Sequence, residues 1–76
     1  MKFEEYRQQD ALGLAELVSR KEVTSAELLD CALARAAAVN PVLNAIVIPM
    51  HEIARARTTN TLSGPFAGVP FLIKDI

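Results

Sequence analysis

Cysteine and histidine are scarce in this 76-residue chain, and each scarcity excludes one way of holding a small protein together. Cys31 is the single cysteine, so the chain cannot form an internal disulfide. His51 is the single histidine and has no cysteine cluster near it, so the residue pattern of a zinc site is missing. We therefore expect neither a disulfide framework nor a metal centre.

Long apolar runs and an excess of basic residues are also missing. No apolar run approaches the roughly 18 residues that a membrane-spanning helix needs. Eight Lys and Arg residues are dispersed among nine Asp and Glu residues, and the net charge of −1 gives no basic face for nucleic acid. The opening residues, MKFEE, do not form a secretory signal. We expect a cytoplasmic location and neither nucleic acid nor a membrane as partner.

Apolar surface is what the chain has in excess, because 51% of its residues are hydrophobic. A chain this short buries only about 60 to 65% of the surface that its unfolded form exposes. We therefore expect residues 1–76 to be part of one domain. The chain would then be the leading fragment of a longer polypeptide, whose remainder would cover the excess apolar surface.

A first helix is predicted over about residues 11–20. Asp10 fits the N-cap position, and Leu14, Leu17 and Val18 recur at the spacing of one helix face. The residues before Asp10 are polar apart from Phe3 and Tyr6, which we expect to pack as an arm against another element.

A second helix is predicted to begin at Thr24, which fits a capping box with Glu27. It should end before Pro41, because proline disfavours helical geometry in the residue before it and cannot donate a hydrogen bond within a helix. Ala34 and Ala38 lie away from its apolar face. Small residues there would let another helix or a second copy of the chain come close, so a homodimer is one candidate assembly. The alternative is that alanine is present because it favours helix.

Two strands are predicted in the second half of the chain. Residues 44–48 are rich in β-branched side chains and are closed by Pro49, and residues 71–73 form a continuous apolar run. A third short helix over about residues 50–58 and a polar loop over 58–63 separate them. The order is helix, helix, strand, helix, loop, strand, which predicts an α/β fold whose sheet is incomplete in this chain.

Lys74 follows the second apolar run and is the main candidate for chemistry. Gly64 and Gly68 can adopt backbone angles closed to other residues, while Pro65 and Pro70 fix φ, so the loop before the run has few conformations. A lysine behind apolar residues is costly to bury charged. Desolvation lowers the pKa of an amine, and a neutral amine can act as a general base.

The sequence of residues 64–75, GPFAGVPFLIKD, closely resembles the motif G-P-x-x-G-[VI]-P-[FVI]-x-[IVL]-K-D of the amidase signature family of serine hydrolases. Upstream, residues 24–28 and 40–45 are similar to the family's [ST]-[ST]-x-[ED]-L helix and N-P-x-[LIV]-N-A turn. The resemblance thus extends along the whole chain, with the last motif specific and the others supportive. It implies the N-terminal helices and first strands of the family fold, a mixed sheet covered by helices.

The resemblance also implies a mechanism. Lys74 would be the lysine of a Ser-Ser-Lys triad that hydrolyses a carboxylic amide, with water as second substrate and without metal or cofactor. In the family both serines and the oxyanion donors lie downstream in a region outside this sequence. Ser19, Ser25 and Ser63 fall outside that motif, so none is assigned to the triad. We expect the 76 residues alone to be inactive.

Simpler interpretations stand beside these. Lys74 could be an ordinary solvated strand end, as most lysines are surface charges. Asp75 would point to the other face of the strand and bond loop backbone instead of the lysine amine. His51 is expected on the surface, and Cys31 is expected to be a partly buried helix residue that is not a nucleophile.

Two other classes of protein remain open. The amidase subunit of a tRNA-dependent amidotransferase usually continues Lys-Asp-Asn, where this chain has Ile76, so the branch of stand-alone amidases, including hydrolases of the 6-aminohexanoate cyclic dimer, is favoured. A small helical interaction module without catalysis is the second alternative. The substrate cannot be read from the sequence beyond a small-molecule amide, because the family's substrate pockets are built mostly by downstream segments.

Overall fold

A computed structural model describes residues 1–74 of the chain; Asp75 and Ile76 lie outside the described residues. Helices make up more than half of the described part. They are α1 (Phe3–Tyr6), α2 (Ala11–Ser19), α3 (Ser25–Leu43) and α4 (His51–Arg57). The predicted helices over 11–20 and 50–58 are confirmed to within one residue at either end. The predicted arm before Asp10 contains the short helix α1, which was not foreseen.

Side-chain caps explain where the two longer helices begin. The Oδ1 atom of Asp10 accepts a hydrogen bond of 2.7 Å from the Gly13 N–H, which starts α2. At α3 the Thr24 hydroxyl accepts from the Glu27 N–H at 3.1 Å, and the Glu27 carboxylate accepts from the Thr24 N–H at 3.3 Å. Both predicted caps are confirmed.

The end of α3 lies further along the chain than predicted. The helix continues through Pro41 and ends at Leu43, so the expectation that it stops before Pro41 is wrong. Pro41 lies in the last turn, where its missing N–H removes only one intrahelical bond. The next residue after the helix, Asn44, takes the left-handed conformation (φ 50°) and donates its N–H to the Asn40 carbonyl at 2.7 Å, which closes the helix end.

The core is formed by residues of α2 and of the first half of α3. Its fully or nearly buried residues are Leu14, Ala15, Leu28, Leu29 and Cys31. Helix α1 packs on α3 as the predicted arm, with the Arg35 guanidinium 4.7 Å from the centre of the Phe3 ring. Burial raises the pKa of the Tyr6 hydroxyl, and the nearby Cys31 is the second cause.

The predicted α/β fold class, a mixed sheet covered by helices, is wrong for residues 1–74, because the described part contains helices and no strand. Residues 44–48 are irregular. The Asn40 side chain takes up the backbone groups that a neighbouring strand would need: its Oδ1 accepts from the Ile46 N–H at 2.8 Å, and its Nδ2 donates to the Ile46 carbonyl at 3.0 Å. A side-chain amide thus replaces the ladder partner of Ile46.

The second predicted strand, residues 71–73, is likewise irregular and is exposed to solvent. A strand is defined by the neighbour with which it exchanges backbone hydrogen bonds, and apolar or β-branched composition does not provide that neighbour. The apolar pattern therefore identified residues that need a packing partner. The further inference that they pair in a sheet was wrong.

Candidate functional site

The candidate site is the segment that leads to Lys74, and its first part is the glycine loop, residues 64–68. Two successive turns form it: the Ala67 N–H donates to the Gly64 carbonyl at 3.2 Å, and the Val69 N–H donates to the Phe66 carbonyl at 3.1 Å. Gly64 has φ 104° and Gly68 has φ 87°, both in the region that favours glycine. Gly68 takes the third position of the second turn, where a type II turn requires a positive φ.

The glycine loop is seated on the corner between α2 and α3. A Cβ atom placed on Gly68 would lie 3.0 and 3.3 Å from the two methyl groups of Val18 and 3.3 Å from the Cβ of Ser25. Such distances are shorter than ordinary carbon contacts of about 3.5 to 4.0 Å. The Ser25 hydroxyl also donates to the Thr58 carbonyl at 3.3 Å, so Ser25 joins α3 to the end of α4 and to the loop.

A cavity of about 560 Å³ lies beside this seat. One wall is the inner side of α2, with Leu12, Ala15 and Val18, and the opposite wall is formed by Leu62 and the glycine loop. Most of the wall is aliphatic or glycine backbone. The glycine loop thus lies against the helices but leaves a space between itself and α2.

The rest of the candidate site is the Lys74 arm, residues 69–74. Val69 and Pro70 are half-buried against the body of the protein, whereas Phe71, Leu72 and Ile73 are 80%, 74% and 71% exposed. Lys74 is also exposed, at the end of the described chain. Residues 1–74 therefore do not build the water-excluding walls that a lysine needs to act as a base.

The other residues considered in the sequence analysis have structural contacts or lie away from the Lys74 arm. The Ser19 hydroxyl donates to the Glu16 carbonyl at 2.9 Å, and the Ser25 hydroxyl is engaged at Thr58 as described. His51 is exposed at the start of α4, as expected. Cys31 was expected to be partly buried, and the structure places it fully in the core. The hypothesis for Asp75 falls outside the described residues.

Ala34 and Ala38 are exposed on α3, where they border a second groove of about 460 Å³ between α1 and α3. Over residues 1–74 no cluster of three or more His, Cys, Asp or Glu residues could hold a metal ion. In the same part of the chain, none of the helices has both the length and the apolar character needed to cross a membrane.

The sequence did not reveal the contact between Gly68, Val18 and Ser25. Val18 was placed on the apolar face of α2 and Gly68 in a turn, but nothing local links positions 18 and 68. A glycine that is required for close approach and one that is required for a turn look the same in a single sequence.

The geometry of the Lys74 arm does not assign the chain to a family, but comparison with known proteins does. The chain is 52% identical over 68 residues to the 6-aminohexanoate-cyclic-dimer hydrolase of Pseudomonas sp. (strain NK87), a match that covers 90% of the chain and 14% of that protein. It is 43% identical over 74 residues to the lipoamidase of Enterococcus faecalis, covering 95% of the chain and 10% of that protein. No family model matches the chain, and no solved structure matches it.

A more distant relative bears on the amidotransferase alternative. A glutamyl-tRNA(Gln) amidotransferase subunit of Methylobacillus flagellatus is 36% identical over 70 residues, covering 83% of the chain and 14% of that protein. The chain therefore spans about one seventh of the length of this relative and of the cyclic-dimer hydrolase, which are both 14% covered.

The names of these relatives define a class of proteins, the enzymes that act on amides. The chain belongs to the amidase signature family. The resemblance inferred from residues 64–75 is thereby confirmed at the level of the family, and the role of Lys74 stays a prediction.

Proposed function

We propose that this chain is the N-terminal part of a cytoplasmic amidase that hydrolyses a small-molecule carboxylic amide, and that Lys74 is the lysine of its Ser-Ser-Lys triad. The observation that supports the proposal most is the 52% identity to a 6-aminohexanoate-cyclic-dimer hydrolase over 90% of the chain. The motif of residues 64–75 supports the residue assignment.

The proposed reaction uses water and no cofactor. Neutral Lys74 takes a proton from a bridging serine, which takes one from a second serine whose oxygen attacks the amide carbonyl. The amine leaves with a proton returned through the bridging serine, and an acyl ester remains on the enzyme. Water then cleaves the ester to a carboxylic acid and regenerates the serine. Both serines and the oxyanion donors would come from outside this sequence, so the 76 residues alone should not hydrolyse an amide.

For the substrate we propose a cyclic amide of the type of the 6-aminohexanoate cyclic dimer, because the cyclic-dimer hydrolases are more similar to this chain than the lipoamidase or the amidotransferase protein. The first probe is therefore the cyclic dimer of 6-aminohexanoate. Lipoamide and a simple aryl amide complete the panel.

We further propose that the remainder of the amidase chain is the partner that covers the exposed apolar residues. Phe71, Leu72 and Ile73 are exposed immediately before Lys74, and Val47 and Ile48 are 71% and 66% exposed. Covering them would remove water from around the Lys74 arm, which is the condition for a neutral amine.

The test is the rate of cyclic-dimer hydrolysis by the full-length protein and its Lys74 variants. Lys74→Ala should lower kcat by at least about 100-fold, the scale of general-base catalysis. Lys74→Arg should be equally inactive, because arginine keeps the charge but cannot give up its proton. Lys2→Ala removes an exposed lysine that is distant from Lys74 in the sequence. It is the matched control and should leave kcat unchanged.

Full activity of Lys74→Ala would refute the triad assignment. An active Lys74→Arg would show that the position needs a positive charge and not a base. Transfer of ammonia to a misacylated tRNA, with no hydrolysis of the panel, would favour the amidotransferase alternative instead.

The remaining alternatives are an interaction module without catalysis and a homodimer through Ala34 and Ala38. Sedimentation of the protein over a range of concentrations tests the homodimer. A stable monomer of 8.3 kDa with cooperative melting and no activity would favour the interaction module.

A further inference from the structure

We infer that Gly68 is a positioning residue for Lys74: its close approach to Val18 and Ser25 fixes where the Lys74 arm begins. The inference rests on the proposed function, because it assigns to Gly68 a role in the reaction of Lys74. It concerns a contact between two distant parts of the chain that no local motif describes.

The boundary between half-buried and exposed chain lies after Pro70, two residues beyond Gly68. Residues 67–70 are half-buried, and every described residue after them is exposed. Gly68 lies within this half-buried stretch and approaches the helices closely, at Val18 and Ser25. Within this stretch Gly68 has the closest described approach to the helices, and it therefore determines where the arm begins.

The length of the arm relates a change at Gly68 to the position of the lysine. Lys74 lies six residues after Gly68, and an extended chain advances about 3.3 Å per residue, so the arm can reach about 20 Å. Pro70 fixes one φ within it. A rotation at Gly68 changes the direction in which the arm starts, and a misplacement of about 1 Å at the amine can cost about 100-fold in rate.

The two glycines of the loop differ in their surroundings. Both have positive φ, so both resist a side chain for reasons of backbone strain. A Cβ on Gly64 would meet no atom within 4 Å, whereas a Cβ on Gly68 would crowd the Val18 methyl groups and Ser25. Gly64 therefore provides a matched control, with strain alone, for a residue that combines strain with close packing.

The experiment measures kcat and KM of the full-length protein for the cyclic dimer of 6-aminohexanoate, together with the melting temperature of each variant. Gly68→Ala should lower kcat by about 100-fold with little change in KM. Gly64→Ala should stay within about threefold of the parent kcat, because it leaves the seat of the arm in place. In the double variant Gly68→Ala with Val18→Ala, the two crowding methyl groups of Val18 are gone and the Ser25 Cβ remains, so about tenfold of the lost kcat should return.

Two further variants make the test independent of folding and of the proposed function. Val18→Leu enlarges the helix side of the same contact and adds no backbone strain at Gly68. It should also lower kcat, and it therefore tests the contact even if Gly68→Ala does not fold. In a Lys74→Ala background, Gly68→Ala should cause no further loss, because a positioning residue acts only through the group that it positions. The ¹³Cε resonance of labelled Lys74 should shift in Gly68→Ala and not in Gly64→Ala.

The inference is overturned if Gly68→Ala or Val18→Leu folds and keeps the parent kcat, if removing Val18 restores nothing, or if the effect persists without Lys74. A fully active Lys74→Ala variant would instead refute the proposed function. An inactive Lys74→Ala variant beside a fully active Gly68→Ala variant leaves the proposed function standing and removes only the role of Gly68.

Discussion

Residues 1–41 and residues 42–74 of this chain are similarly rich in apolar side chains but treat them in opposite ways. All the buried core residues lie between Leu14 and Cys31. The large exposed apolar residues, apart from Leu12, all lie between Val42 and Ile73. We name these parts the packed region (residues 1–41) and the open region (residues 42–74).

The difference shows what kind of packing partner the apolar surface of each region needs. In the packed region the apolar residues recur at helical spacing, so each helix offers one stripe and two stripes can meet. In the open region the apolar residues form short continuous runs, which need cover on both sides. Within residues 1–74 the helices leave these runs exposed.

Few polar contacts join the two regions. The Asn40 amide holds Ile46, the Ser25 hydroxyl reaches the Thr58 carbonyl, and the Arg55 guanidinium lies 2.6 Å from the Asp30 carboxylate. The seat of Gly68 on Val18 is a packing contact between them. The open region is thus attached to the packed one at a handful of points.

The largest expected effect separates the two regions directly. Leu28 is 0% exposed and Leu43 is 65% exposed, and both lie on α3. Leu28→Ala should lower the free energy of unfolding by about 3 kcal/mol, because it leaves a cavity in the core. Leu43→Ala should change it by no more than about 0.5 kcal/mol. Urea denaturation of both variants of the 76-residue chain measures the difference, and equal losses would break the comparison.

The next effect tests the link at Asn40. Asn40→Ala removes both hydrogen bonds to Ile46 and should cost about 1 to 2 kcal/mol, because partly buried backbone groups lose their partner. Hydrogen exchange of the Ile46 amide should accelerate. Asn40→Asp keeps the acceptor and should retain part of the protection, and Asn60→Ala, at an exposed position, is the control. Unchanged exchange in Asn40→Ala would mean that another group holds Ile46.

A smaller effect is expected within the packed region, at the start of α3. Thr24→Ala removes one half of the capping box and should lower the free energy of unfolding by about 1 kcal/mol. Thermal melting followed by circular dichroism measures it. Thr61→Ala replaces an exposed threonine outside the helices and should leave the melting temperature unchanged. A loss as large in Thr61→Ala would show that the cap is not the cause.

The smallest effect concerns the ion pair between the regions. Arg55 and Asp30 are about half exposed or more, so Arg55→Gln should cost no more than about 0.5 kcal/mol, and the cost should vanish at high salt. Arg57→Gln, on the same helix, is the control. A larger loss that resists salt would mean that α4 depends on this pair more than its exposure indicates.

Much of the local structure was predictable from the sequence. Asp10 and the pair Thr24 and Glu27 mark helix starts through contacts three residues apart, and these are readable without knowledge of the rest of the fold. The site could be predicted only as a motif. The seat of Gly68, the exposure of Lys74 and the continuation of α3 through Pro41 all depend on what surrounds those residues.

The amino-acid sequence by itself determined the helix starts, the turn that needs glycine and the membership of the amidase signature family, because each is written in residues close together along the chain. Only the tertiary structure decided that residues 44–48 and 71–73 form no sheet within residues 1–74 and that the glycine loop is anchored at Val18. Sheet pairing and close packing depend on which surfaces meet across long stretches of chain. A pattern of neighbouring residues fixes what a segment can bury but not what covers it.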